Sequence, residues 1–280
     1  MTKLASICAQ LEKLYPLRYA GKWDNVGLLV EPSIGASNFD VKNVFLTNDL
    51  TTKVLEEAIS KKSNMIISYH PPMFAKGFLR MRAGNVKESI ILKCIEHKIA
   101  VYSPHTACDC SQGGVNDWLI KNLVNSKNSD KTFKPASKCD DPNADFEVTG
   151  FGRTGNFDEQ ISLIEIVNRV KKLSGLSQVQ VSKSHTLKSI DQLEISSIGV
   201  CAGSGGSVLG KAQVDVVVTG EMSHHEILAM VERGVSVILT CHTNTERGYL
   251  PVMAEKIGSG LEDGCEFFVS EVDEDPQQLM

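Results

Sequence analysis

The 280-residue sequence lacks two features that would assign it to a specialised class of protein. It contains no long run of apolar residues, whereas a membrane-spanning helix needs about 20 of them. It also has no excess of basic residues, because 29 Lys and Arg stand against 34 Asp and Glu and give a formal net charge of -5. A broad nucleic-acid-binding face needs clustered Lys and Arg, so direct nucleic-acid binding is disfavoured.

The sequence contains no CxxC motif, although it has eight cysteines. They are irregularly spaced, and the closest pair, Cys108 and Cys110, has one residue between its members. In a chain of this length, such spacing predicts free thiols in a reducing compartment and no disulfide framework. The N-terminus lacks the apolar run of a signal peptide, so we expect a cytoplasmic location.

The composition is typical of a globular protein, with 42% hydrophobic and 22% charged residues. A length of 280 residues favours two domains. Short apolar runs alternate with stretches of helical periodicity, which predicts an α/β fold of two domains with mixed, largely parallel sheets. The predicted strands include residues 44–47, 65–68, 99–102, 146–151, 195–201, 214–218 and 235–240.

Residues 125–145 are polar, contain proline and show no periodicity, which is typical of a linker or a long loop. We therefore predict a domain boundary there. The first domain is predicted to comprise residues 1–125 with 222–280, and the second residues 126–221, both within one family unit of residues 1–280.

Three apolar strands each deliver a histidine just past their carboxyl end: His70, His105 and His242. Asp109 follows His105 by four residues, and Glu246 follows His242 by four, so each pair would face one way on a helix. Ligands bind at the carboxyl edge of open α/β sheets. Each histidine alone is explained by a helix cap or a loop hydrogen bond. Three together favour a site for one or two divalent metal ions, with zinc, iron or manganese suiting imidazole and carboxylate ligands.

A glycine-rich segment follows the predicted strand 195–201 and is a candidate anion-binding loop. It is not a Walker loop, because no Lys-Ser/Thr pair closes it, and Val208 stands where a dinucleotide fingerprint has its third glycine. A tight turn with close helix packing explains the same residues equally well. The candidate residues are Gly203, Ser204, Gly205 and Gly206.

Two residues are candidates for proton transfer. Glu221 ends a predicted strand and could act as an acid or base, and His105 is the second candidate. His224 and His225 are adjacent and must diverge on a helix, so at most one of them points inward. Asp24 is typical of a turn but could also support a ligating histidine.

With these residues in view, the sequence resembles the Ngg-one-interacting factor three family, which is also described as GTP cyclohydrolase type-two-like. Signature blocks of the family stand in order over nearly the whole chain. They are WDNVGLLV, SYHPP, SPHTACD with GGVNDWL, CAGSGGSVL, TGEMSHHE and HTNTERG.

The resemblance implies two α/β domains with a two-metal cleft between them, and a ring-shaped homo-oligomer, typically a hexamer built from dimers. The family's metal ligands carry over to His70, Asp109, His242 and Glu246. The first strand end of the family holds a pair of histidines, and here Tyr69 occupies the other place. Tyrosine is a poor ligand at neutral pH, with an ordinary pKa of about 10.

The family description implies GTP ring opening or another hydrolysis, so one expectation is a metal-dependent hydrolase that acts on a nucleotide or a phosphorylated small molecule. In that case His105 or Glu221 would move protons, and the glycine-rich loop would hold a phosphate. The family's name instead favours a non-enzymatic metal-binding scaffold or transcriptional co-regulator that binds a protein partner, which adds a nuclear location. Metal storage or delivery is a third interpretation.

Overall fold

The computed structural model describes residues 1–74, 81–128, 132–262 and 264–278. The strands are β1 (Thr2–Lys3), β2 (Gly27–Val30), β3 (Asp40–Val41), β4 (Asn43–Thr47), β5 (Met65–Ser68), β6 (Ala100–Ser103), β7 (Arg153–Ile161), β8 (Gln180–Ser182), β9 (Ile195–Ser204), β10 (Val216–Glu221), β11 (Ser236–Leu239) and β12 (Glu266–Val269). The α-helices are α1 (Leu4–Leu14), α2 (Thr52–Ser60), α3 (Val86–Glu96), α4 (His105–Cys110), α5 (Val115–Val124), α6 (Leu163–Ser174), α7 (Gly206–Leu209), α8 (His224–Glu232) and α9 (Leu250–Gly258). Short 3₁₀ helices lie at Leu17–Tyr19, Thr243–Thr245 and Arg247–Tyr249.

The first compact unit comprises Met1–Cys108 and Tyr249–Glu274. Its five-stranded sheet has the order β12-β4-β5-β6-β2, with β12, β4, β5 and β6 parallel and β2 antiparallel to β6. β5 and β6 are buried along their whole length, which explains why both read as continuous apolar runs. Phe45, Ile66 and Val101 form a core with side chains of α2 and α3.

The second compact unit comprises Asp109–Gly248 and Asp275–Met280. Its sheet has the order β7-β9-β10-β11-β8, with β9, β10 and β11 parallel and both edge strands antiparallel. The observed division therefore differs from the predicted boundaries at 125 and 222. The reason is that Ile120 of α5 packs in one core with Ile198 and Val218, and β11 belongs to this second sheet.

The predicted strand at residues 146–151 is wrong, because the strand in this region begins at Arg153. The backbone carbonyl of Asp145 accepts hydrogen bonds from the N–H groups of Val148 and Thr149, which folds the segment into turns. Gly152 then has a φ of +60°, a left-handed conformation that glycine adopts readily. The edge strands β2 and β8 were not predicted. Within the predicted linker, residues 129–131 lie outside the described residues.

All eight cysteines are free thiols, as their spacing predicted. Burial raises the pKa of Cys94 to about 12 and that of Cys8 to about 11, the latter with a further contribution from the charge of Glu31. Over the described ranges, the helices are all too short or too polar to cross a membrane.

Candidate metal centre

In the first unit, His70 lies just beyond β5, and its Nδ1 atom is 3.0 Å from Oδ1 of Asp49. Asp49 itself lies just beyond the neighbouring strand β4. A carboxylate at this position accepts the Nδ1–H bond and fixes the tautomer, so that the Nε2 lone pair is presented to a ligand. His70 therefore has the support that metal-binding histidines characteristically have.

His105 follows β6 and has the same arrangement, with its Nδ1 atom 2.8 Å from Oδ1 of Asp24. Burial by itself would raise the pKa of Asp24, but hydrogen bonds from His105 and Thr106 and the charge of His105 hold the pKa below its ordinary value of 3.8. The backbone of His105 has a φ of +25°, which is unfavourable for a residue with a side chain. Such strain is found mainly where the surrounding structure enforces a particular side-chain position.

Tyr69 occupies the position where the family resemblance leads us to expect a second histidine. Its side chain is fully buried, with the ring centroid 5.5 Å from that of His70 and 6.1 Å from that of His105. The two imidazole centroids are 5.3 Å apart. Tyr69 thus packs beside both imidazoles, and histidines from two neighbouring strand ends lie together in the first unit.

In the second unit, His242 lies beyond β11 and stands between two carboxylates. Its Nδ1 atom is 2.9 Å from Oε1 of Glu221, and its Nε2 atom is 3.5 Å from Oε1 of Glu246. The residue spacing of four therefore brings His242 and Glu246 together, as the sequence predicted. Glu246 is buried, with only 3% of its side chain exposed. Cys241, directly before His242, has a φ of +67°.

Glycine at position 203 makes room for this pair. Gly203 ends the buried part of β9 and has a φ of +66°. A Cβ atom there would lie 2.7 Å from Oε1 of Glu246 and 2.8 Å from Nε2 of His242. These distances are shorter than any normal contact, so only glycine lets the two side chains approach the strand end at this point.

Two backbone N–H groups of the glycine-rich segment form hydrogen bonds within the protein. The N–H of Gly203 donates to Oγ1 of Thr245 over 2.8 Å, and that of Gly205 to the carbonyl of Glu221 over 3.3 Å. Gly206 lies against the carboxylate of Glu226, and α7 has only four residues. The segment is therefore a closely packed turn, and an anion site at Gly203, Ser204, Gly205 and Gly206 stays a prediction.

Asp109 lies in α4, and its backbone carbonyl accepts a hydrogen bond of 3.1 Å from Nδ2 of Asn116. Oδ1 of Asn116 in turn accepts a bond of 2.8 Å from the N–H of Ala202. Burial raises the pKa of the nearby Cys201 thiol, and the negative charges of Asp109 and Glu246 raise it further. These two carboxylates make the end of β9 electronegative, which suits a cation.

Three residues of the described ranges offer groups that could ligate a metal ion. His70 offers an imidazole in the first unit, and His242 and Glu246 offer an imidazole and a carboxylate in the second. Borderline divalent ions such as zinc favour this mixture of nitrogen and oxygen ligands. Asp109, the fourth predicted ligand, is not in this set. His224 and His225 are both exposed.

Sequence reasoning missed several residues that position the candidate ligands. Asp49 supports His70. At the end of β9, Thr245 and Asn116 accept hydrogen bonds from the backbone N–H groups of Gly203 and Ala202. Asp49 stood at the end of a predicted strand, which is the same signal that identified the histidines. Asp24, by contrast, was considered as support for a histidine, and the structure pairs it with His105.

Comparison with known proteins places the chain in a family. The family model described as Duf34/NIF3 (NGG1p interacting factor 3) matches residues 2–276 of this sequence. The chain belongs to this family. It is 40% identical over 277 residues to NIF3-like protein 1 of Drosophila melanogaster, with 98% of this chain and 88% of that protein covered. It is 38% identical over 283 residues to NGG1-interacting factor 3 of Saccharomyces cerevisiae, with 98% and 96% covered.

Solved structures share the fold of this Duf34/NIF3 family member. A Bacillus cereus protein related to NIF3 has a TM-score of 0.79 at 19% identity and covers 100% of this chain and 99% of its own. Reduced HcgD from Methanocaldococcus jannaschii has a TM-score of 0.76 at 24% identity, with 96% and 98% covered. At these identities the likeness shows the two-unit α/β fold alone.

Proposed function

We propose that this protein binds one or two divalent metal ions and uses them to hydrolyse a nucleotide or a phosphorylated small molecule. The observation that carries the proposal is the carboxylate on the Nδ1 side of both His70 and His242. Asp49 and Glu221 thereby leave Nε2 of each imidazole as a metal ligand. Glu246 supplies a buried carboxylate, and the charge of Asp109, like that of Glu246, acts on the Cys201 thiol of β9.

A bound divalent metal would supply a water molecule with a pKa near 7 and would polarise a phosphoryl or carbonyl oxygen. The protein's own residues would then bind, orient and move protons. His105, held by Asp24, is suited to proton transfer, because the carboxylate fixes one tautomer and stabilises the protonated ring. Glu221 is half-exposed, so it could exchange a proton with solvent in addition to orienting His242.

The alternative is a non-enzymatic scaffold or transcriptional co-regulator. The name of the Saccharomyces cerevisiae relative favours it, since that protein is called NGG1-interacting factor 3. In this case, the metal would be structural, every coordination position would be filled by protein, and the protein would act in the nucleus as well as the cytoplasm. A homohexamer built from dimers is compatible with both functions, and light scattering tests it.

The deciding experiment is elemental analysis of protein purified without affinity tags or chelators. We expect near-stoichiometric zinc, iron or manganese in the wild type and loss of that metal in a His242→Ala/Glu246→Ala variant. Protein loaded with the element found should then release product from nucleotides or phosphoesters, and the variant should not. Equal metal content in both proteins would refute the site. Metal binding without turnover of any compound in a broad screen would refute the hydrolase and favour the scaffold.

A further inference from the structure

Two large aromatic side chains of the first unit are exposed beside His105. Trp23 is 63% exposed and Phe74 is 48% exposed. Their ring centroids are 5.8 Å apart with an interplanar angle of 54°, and they lie 6.0 Å and 6.1 Å from the imidazole centroid of His105. Exposing aromatic surface to water costs free energy, and exposed aromatic rings beside polar groups are typical of a place where a ligand or partner binds.

The backbone that carries Trp23 is fixed to the His105 segment by hydrogen bonds. The N–H of Gly21 donates to Oγ1 of Thr106 over 3.0 Å, and Asp24 binds both His105 and Thr106. The indole packs so closely on Gly21 that a Cβ atom there would lie 2.8 Å from Nε1 of Trp23. Trp23 is therefore held in place and does not project freely into solvent.

The segment before Phe74 is tied to the same loop. Nδ2 of Asn25 donates a hydrogen bond to the backbone carbonyl of Met73. Because Asn25 lies two residues after Trp23 and Met73 lies directly before Phe74, this bond ties the segments that carry the two aromatic residues to each other. The pair is thus a preorganised surface, which lowers the entropic cost of binding a ligand.

The spacing and surroundings of the pair indicate what would bind to it. A ring sandwiched between Trp23 and Phe74 would need two contact distances of about 3.5 Å, more than their 5.8 Å separation allows, so a ligand ring must lie on their exposed faces. His105 borders these faces, and because its Nδ1 atom is bound to the buried Asp24, Nε2 is the atom left for a ligand. A planar heterocycle with polar edges satisfies both the π-faces and this nitrogen, whereas an aliphatic chain leaves the nitrogen unsatisfied.

We propose that Trp23 and Phe74 form a stacking subsite for the purine base of a nucleotide, beside His105. A bicyclic purine is long enough to stack on the face of one ring and to contact the other ring, which is inclined to it by 54°. This proposal rests on the proposed function, because it names purine nucleotides as the substrate class of the proposed hydrolase. Base binding itself needs only residues of the first unit, so it is measurable without metal or turnover.

The test uses the full-length protein after treatment with EDTA. The sequence has two tryptophans, so a Trp118→Phe variant leaves Trp23 as the single indole fluorophore. Adenosine and guanosine are titrated into this variant, and ribose 5-phosphate serves as the probe without a base. We expect both nucleosides to quench the fluorescence of Trp23 to saturation, and ribose 5-phosphate to have no effect.

Variants then test the two rings, with nucleoside binding measured by equilibrium dialysis in the absence of metal. Loss of one stacking partner should weaken binding roughly 5- to 150-fold, so Trp23→Ala and Phe74→Ala should both show this change. Leu193→Ala removes a side chain of similar exposure, 64%, from the second unit and should leave binding unchanged. Trp23→Phe should retain part of the affinity, which separates stacking from a general loss of structure.

Equal nucleoside affinity in the wild type and both alanine variants would overturn the proposal. So would competition by ribose 5-phosphate, which would assign binding to the phosphate and sugar. A smaller oligomer for Trp23→Ala in light scattering, with unchanged nucleoside affinity, would overturn it in favour of a contact between copies of the chain. Nucleoside binding without hydrolysis would support this subsite and refute only the proposed hydrolase.

Discussion

The Nδ1 atom of His242 lies 2.9 Å from the Oε1 atom of Glu221. This contact assigns the Nδ1 proton and leaves Nε2, the atom facing Glu246, as the basic nitrogen. We predict that Glu221→Gln weakens divalent metal binding by about 10- to 100-fold, because an amide neither fixes the tautomer nor increases the basicity of the imidazole as a carboxylate does. Competition with a chelator of known affinity measures the change.

The chain provides a matched control for this substitution. Glu232 lies 3.3 Å from Nδ1 of His185, and both side chains are exposed. Glu232→Gln removes the same charge from a histidine outside the candidate site, so metal affinity should stay at the wild-type value. Similar losses in the two variants would mean that the effect comes from net charge, and the role given to Glu221 would be refuted.

A second prediction concerns the glycine that lies against the ligand pair. Gly203→Ala would place a Cβ atom within 2.8 Å of both His242 and Glu246, so we expect the variant to lose most of its bound metal. Elemental analysis after dialysis measures this loss. Gly175→Ala is the control, because Gly175 has a similar φ of +72° but nothing within 4 Å of the added atom.

Both alanine variants carry the same backbone penalty, about 1 kcal/mol for a left-handed residue other than glycine. The melting temperature of Gly175→Ala should therefore fall slightly and that of Gly203→Ala further, because only there does the added atom clash, and only Gly203→Ala should be depleted of metal. Full metal occupancy in Gly203→Ala would show that the candidate ligands do not bind in the positions the structure gives them.

Much of the parallel core of both sheets was predictable from the sequence, because a buried strand such as β5 is a continuous apolar run with a local signal. The histidines that follow such strands were predictable for the same reason. The edge strand β8 was not, since it has only three residues and both Gln180 and Val181 are exposed, so no buried apolar run marks it. Its position depends on pairing with β11, which is more than 50 residues away in the sequence.

Prediction from the sequence is limited in the same way for the residues that contact the candidate ligands. His242 and Glu246 are four residues apart, and their proximity follows from local geometry. Asp49 and His70 are 21 residues apart and meet only because β4 and β5 are neighbours in the sheet. Strand order is a property of the assembled sheet, so the local pattern placed Asp49 at a strand end but could not pair it with His70.

A third prediction concerns stability in the second unit. Arg153 is fully buried, and its Nε atom lies 2.7 Å from Oδ1 of Asp117, while its guanidinium also donates to the carbonyls of Gly150 and Gly152. Asp117→Asn leaves a buried charge without its counterion, which should lower the free energy of unfolding by about 3–5 kcal/mol. Urea denaturation followed by circular dichroism measures it.

The control for Asp117→Asn is the ion pair between Arg169 and Glu165 on the surface of α6, at 2.9 Å. Glu165→Gln breaks an exposed pair four residues apart, so the loss should be about 0.5 kcal/mol or less. If Asp117→Asn costs no more than Glu165→Gln, the backbone carbonyls alone stabilise Arg153, and the ion pair is not required.

The last prediction concerns the pH dependence of stability in the first unit, where Asp24 binds His105. The pKa of Asp24 in the folded protein lies below its ordinary value of 3.8, since the hydrogen bonds and charge of its partners outweigh the opposing effect of burial. A carboxyl whose pKa is depressed on folding stabilises the protein above its unfolded pKa of about 3.9, and this contribution is lost as the pH falls through the lower folded pKa. Asp24→Asn should therefore be less stable than the wild type at pH 5, by about 1.5–3 kcal/mol, because hydrogen bonds to a charged group are lost.

The difference between Asp24→Asn and the wild type should shrink steadily below pH 4. Urea denaturation between pH 2.5 and about 5 measures it. Asp40→Asn is the control, since Asp40 forms an exposed ion pair of 2.8 Å with Lys3 and should contribute about 1 kcal/mol at most. If the stability difference for Asp24→Asn does not change with pH, the carboxylate of Asp24 does not stabilise the fold through its charge, and His105 must be held by its packing against the neighbouring rings.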